Sequence, residues 1–142
     1  MEEPKVVLVE ALFAGKQYAT AVWISDKVKS GLAEHAQTKD KKAGAFLKKL
    51  DYYAKAGFRN FEGEGCPIRH EGDGVYRIAQ DLFRVIGFYE DDKKSVYIAV
   101  ATFNKGGQKL SGPEREAIQK AAEIKEKKLW RRKDDGNYPR LA

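Results

Sequence analysis

The chain has 142 residues, 42% of them hydrophobic and 34% charged, which describes one globular domain with a single core rather than a disordered or fibrous chain. No apolar run approaches the ~20 residues that cross a bilayer, and the opening MEEPKVV carries acids where a secretory signal carries bases, so neither a membrane protein nor an exported one is expected. The lone cysteine, Cys66, leaves no internal disulfide to form and suits a reducing cytoplasm.

Taken in order, KVVLVEALF (5–13) and QYATAVWI (17–24) read as two strands joined across Ala14-Gly15-Lys16. Ser25 then has the place and chemistry of a helix N-cap. The following segment, 26–36, is weakly helical because Gly31 sits inside it. A second helix over 41–56 is better written: Ala43, Leu47, Leu50 and Ala54 recur at three- and four-residue spacing, Phe46 and Tyr53 widen the stripe, and Gly57 stops it. Residues 58–74 hold four glycines and a proline and read as irregular chain, with a short extended piece at Pro67–Arg69.

Next come three strand-like runs in VYRIAQDLFRVIGFYEDDKKSVYIAVATFNK (75–105), broken at Gln80-Asp81 and at Asp91–Lys94, the pattern of an antiparallel meander. A basic loop, GGQKL, leads to a final helix opened by Ser111, Pro113 and a capping-box Glu114. That helix runs to about Leu129, with Ile118, Ala121 and Ala122 in its buried stripe. The tail, 130–142, has no periodicity. The element order β-β-α-α-β-β-β-α predicts an α+β fold. We expect a single domain over 1–142, with helices gathered on one face of a largely antiparallel sheet of about five strands, mixed at its N-terminal strand.

Arginines inside two of the meander strands call for an explanation. If Gln80-Asp81 is a two-residue hairpin loop, Arg77 lies directly opposite Arg84, and like charges so placed destabilise a sheet. If Glu90 pairs with Ser95, then Phe103 and Lys105 share the face of both arginines, because residues two apart point the same way. Two accounts fit: a bound anion, or arginines individually paired with helix carboxylates. The net charge of +6 adds weight to a polyanionic partner. From Lys105 onward eleven Lys/Arg face six Asp/Glu, so nearly all of the excess lies in this part of the chain. A solvated helix with pairs such as Glu123–Lys127 is the alternative source of that charge.

The phrases Val75-Tyr76-Arg77-Ile78, Leu82–Tyr89, Val96–Ala101 and Phe103-Asn104-Lys105, then a basic loop and Pro113-Glu114 opening the last helix, resemble the RelE/ParE superfamily of bacterial toxins, closest to its HigB-like, phage-derived branch. The resemblance covers about residues 19–129, leaving the first strand and the tail as additions. It implies a cytoplasmic toxin-antitoxin component: a ribosome-dependent mRNA endoribonuclease, neutralised by a small antitoxin protein and using no cofactor. It also implies that Arg77, Arg84, Lys105 and Lys109 occupy the family's basic positions. The acid-plus-His signature that ends some relatives is absent here. The same scaffold in its ParE branch binds gyrase without cutting RNA, so a non-catalytic interaction module is the second expectation, and an unrelated RNA-binding domain the third.

For cleavage, Arg77 and Arg84 would hold the phosphate with planar, permanently charged forks. Lys105 or Lys109 would position phosphate or supply a proton. Tyr76 or Phe103 would stack on an unpaired base, with Arg69 as a further RNA contact. His70 is the nearby side chain whose ordinary pKa suits a general base. Cys66, His70 and His35 match no metal-ligand spacing, and no phosphate-loop or nucleophile-elbow motif is present.

Overall fold

The computed structural model describes residues 6–38, 40–63, 65–80, 83–91, 93–104 and 112–133. Seven strands form one mixed sheet: β1 (Val7–Phe13), β2 (Ala21–Ser25), β3 (Ile68–His70), β4 (Val75–Gln80), β5 (Phe83–Tyr89), β6 (Val96–Asn104) and β7 (Trp130–Arg132), in the spatial order β3-β4-β5-β6-β2-β1-β7. Three helices, α1 (Asp26–Thr38), α2 (Asp40–Ala56) and α3 (Gly112–Lys127), complete an α+β fold. Two strand pairings are parallel, β2 with β6 and β1 with β7. The meander is antiparallel throughout.

The sheet is larger than the five strands anticipated. β3 adds an edge beside β4, where the sequence showed only a short extended piece. β7 is the first part of the aperiodic tail, recruited along β1. Its three residues carry no alternation of their own, and it is held by backbone pairing to β1 and by Lys133 N donating to Val9 O at 2.8 Å.

A second correction concerns the helices, which cover both faces of the sheet rather than one. The central strands explain why. Every residue of β2 is buried, as is nearly every residue of β5 and the first six of β6. A strand apolar on both sides needs a layer on each side. Val22, Ile24, Ile78, Val85, Tyr97 and Ala99 pack with Val28 of α1 and with Phe46, Leu50 and Ala54 of α2. The alternate residues Trp23, Val75, Ile86, Phe88 and Ile98 pack with Ala121 and Ile124 of α3.

The local signals are visible in the bonds. Ser25 Oγ accepts from Val28 N at 3.2 Å, capping α1. Gly57, at φ +104°, ends α2 with its N–H on Tyr53 O at 2.8 Å. Gly31, which weakens α1 in isolation, has a packing role: a Cβ there would stand 1.9 Å from Thr102 Oγ1, so its absence lets α1 lie close on β6. No helix among the described residues is long and apolar enough to cross a membrane.

Candidate anion-binding face

Register decides what the meander arginines meet. Gln80 pairs with Phe83, so Arg77 lies opposite Ile86, and Arg84 lies between Ala79 and Phe103. The anticipated Arg77–Arg84 opposition is therefore wrong by two residues. A two-residue offset preserves the side on which each residue points, so Arg77, Arg84 and Phe103 still share a face, the one covered by α3. Arg77 does have an arginine directly across the ladder, but it is Arg69 of β3.

Carboxylates resolve that opposition. Arg77 is 9% exposed. Its Nε lies 3.1 Å from Glu71 Oε1, and its Nη1 lies 3.9 Å from Glu114 Oε2, an ion pair rather than a hydrogen bond. Glu114 is fully buried. The sequence placed this glutamate in a capping box with Ser111, which lies outside the described residues; from the first turn of α3, Glu114 also supplies a counter-charge to Arg77. For this residue the helix-carboxylate account describes what is observed.

Arg84 is placed differently. It is half-buried, its Nη1 donates to Phe83 O at 3.2 Å, and Phe103 stands directly across the ladder, half-buried against the α3-side core. In the sequence the basic segment begins at Lys105, directly after β6. Lys105 and Lys109 lie outside the described residues. Arg69 is exposed on the β3 edge, on the face of Arg77.

His70 and Tyr76 are on the other side. They pair across β3 and β4, with ring centroids 4.9 Å apart, and Tyr76 packs with the α2-side core. His70 Nε2 accepts from Gly74 N at 3.3 Å. The proposed general base is thus separated from the arginines by the sheet itself.

No family model, curated protein or solved structure matches this chain. What the site can do is read from its own geometry. Its chemistry is that of a half-buried arginine whose cross-strand partner is an aromatic residue. Such a pair can grip a phosphate oxygen and face a base.

One cluster had no signal in the sequence. On the α2 side, Glu62 Oε2 accepts from Tyr89 OH at 3.0 Å, and Glu62 Oε1 takes Lys94 Nζ at 2.6 Å. The Lys94 ammonium also lies 4.9 Å from the Tyr76 ring centre and 5.5 Å from that of Tyr89. Burial, reinforced by the Glu62 charge, pushes the Tyr89 phenol far above its ordinary range, and burial alone does the same for Tyr97. Tyr97 OH donates to Tyr76 O at 2.9 Å. These contacts tie the β5–β6 turn to the segment after α2. Glu62 sits in a glycine-rich stretch with no pattern to mark it, so only folding could reveal the partnership.

A cleft of about 330 Å³ opens between the start of β1, the start of α1, β6 and α3, bordered by Leu8, Ser25, Val100, Ala101, Ala121 and Ile124. None of the candidate RNA-site residues lines it. Among the described residues no three His, Cys, Asp or Glu side chains gather as metal ligands.

Proposed function

We propose that the chain is the toxin of a type II toxin–antitoxin pair, acting as a ribosome-dependent mRNA endoribonuclease on a RelE/ParE-type scaffold. The observation that carries the reading is the Arg84–Phe103 pair, an arginine and a phenylalanine that are cross-strand partners on β5 and β6, with Phe103 two residues before Lys105 in the sequence. The order strand, helix pair, meander and final helix supports it as well. In this reading Arg84 takes the non-bridging oxygens of the scissile phosphate and stabilises the charge that builds as the 2′-OH, giving up its proton to solvent water, attacks phosphorus and displaces the 5′-oxygen. Phe103 stacks on the adjacent base. Lys105 or Lys109 positions the phosphate or protonates the leaving 5′-oxygen. Arg77 holds the first turn of α3 to β4 instead of touching RNA, and His70 takes no part. The antitoxin covers the Arg84 face, and the protein works in the cytoplasm, where ribosomes are.

A second reading has its own support. The residues expected to act together are split between two faces of the sheet, and Arg77 is neutralised. That arrangement favours a toxin-like module that binds its target without cutting RNA.

Induced expression in bacteria separates the two, scoring growth, and scoring mRNA ends by primer extension, for the parent and for Arg84→Ala. Growth arrest with translation-dependent cuts, both lost in Arg84→Ala, is the expected result. Arrest without cuts would establish the binding reading. No arrest from folded protein would overturn both.

A further inference from the structure

We propose a second nucleic-acid surface on the opposite side of the molecule: the outward face of α2 and the turn after it form a stacking platform for single-stranded RNA. Tyr52 is 62% exposed, the most exposed large hydrophobic side chain among the described residues. A single exposed tyrosine is ordinary, but this one belongs to a cluster of rings. Its ring lies 5.6 Å from Phe61 in an edge-on contact and 6.2 Å from Tyr53, and Tyr53 lies 4.4 Å from Phe61. Tyr53 and Phe61 are half-buried against the α2-side core. They form a fixed base from which Tyr52 projects, so its ring is held in place before any ligand arrives.

The charges around it have the sign a nucleic-acid backbone requires. On a helix, residues three and four apart are surface neighbours, so Lys48 and Lys49 flank Tyr52 on its N-terminal side and Lys55 on its C-terminal side. Lys55 is paired with Asp51 at 3.0 Å, and Asp51 also accepts from Tyr18 OH at 2.5 Å, which makes that corner neutral. Lys48, Lys49 and the exposed Arg59 are in no ion pair among the described residues, and Glu62 nearby is taken by Lys94. What remains is a net positive surface around an exposed, braced ring. A ring with neighbouring cations suits an unpaired base joined to its phosphates, because every base offers a stacking face and every linkage a negative charge.

This inference stands apart from the toxin reading, since it needs binding alone and no ribosome. The test is fluorescence anisotropy with a labelled single-stranded RNA of about ten nucleotides, in an Arg84→Ala background that removes the other face from the measurement. We expect Tyr52→Ala to weaken binding by about tenfold, within the range stacking on one aromatic provides, while Tyr52→Phe retains it. Lys48→Ala with Lys49→Ala should lower the slope of log affinity against log salt by roughly 0.7 for each lysine lost. Tyr52, Lys48 and Lys49 are exposed, so their variants should fold like the Arg84→Ala background, which far-ultraviolet circular dichroism checks. Affinity and salt slope unchanged by either set would overturn the proposal. So would failure of the parent to bind RNA, and so would Tyr52-dependent binding to phosphatidylserine vesicles without RNA binding.

Discussion

Replacing Arg77 by methionine separates a structural arginine from a functional one. The substitution keeps much of the side chain's volume and removes its charge. Glu114 is fully buried beside it, and Glu71 is largely covered. At the 3.1 Å separation from Glu71 the attraction is about 5 kcal/mol at an effective dielectric constant near 20. Desolvation of the guanidinium offsets much of that in the intact protein. Losing one partner is a different matter, because the desolvated carboxylate of Glu114 stays behind without this counter-charge. Breaking a buried pair in this way costs about 3–5 kcal/mol. That is a large share of the ~5–15 kcal/mol by which a domain is usually stable. Urea unfolding followed by the fluorescence of Trp23, buried in the α3-side core, measures it. Adding Glu114→Leu to Arg77→Met should recover part of the loss, since the fully buried charge no longer stays behind. If Arg77→Met costs less than about 1 kcal/mol and yet abolishes growth arrest, the structural assignment fails and Arg77 returns to the RNA site.

Three further outcomes are expected. Gly87→Ala should destabilise by about 3 kcal/mol or more, the upper end of overpacking costs, because a Cβ would stand 2.2 Å from Ile98 O beside a register shift in β5; Gly112→Ala, with open space around it and no left-handed backbone to strain, is the control, and thermal unfolding compares them. Ser25→Ala should cost about 1–2 kcal/mol in urea, as it removes the α1 cap together with the 3.4 Å bond to Val100 O. The third concerns alkali. Folding holds the Tyr89 and Tyr97 phenols protonated, with folded pKa values raised above the ordinary 10.0. The stability they confer is complete below pH 10 and declines as pH rises beyond it. Ultraviolet tyrosinate absorbance should show these two ionising only as the chain unfolds, and their free titration in folded protein would refute the assignment.

Local chemistry, and with it much of the fold, is written in the sequence: the Ser25 cap, the Phe46–Leu50–Ala54 stripe, the Gly57 stop and the meander with its apolar runs. Each depends on residues within a turn or two of one another, where backbone geometry leaves few choices. The shared side of Arg77, Arg84 and Phe103 was legible too, because strand alternation survives an offset of two. Only the tertiary structure decided the rest. It placed Arg69 rather than Arg84 across from Arg77, brought Glu114 from the last helix to neutralise it, put His70 and Tyr76 behind the sheet, and made a strand of Trp130–Arg132. These are pairings between distant segments, chosen by register, by which helix covers which face, and by the cost of burying a charge without a partner. No short stretch of the chain encodes them, because each partner acquires its meaning only when the other is already in place.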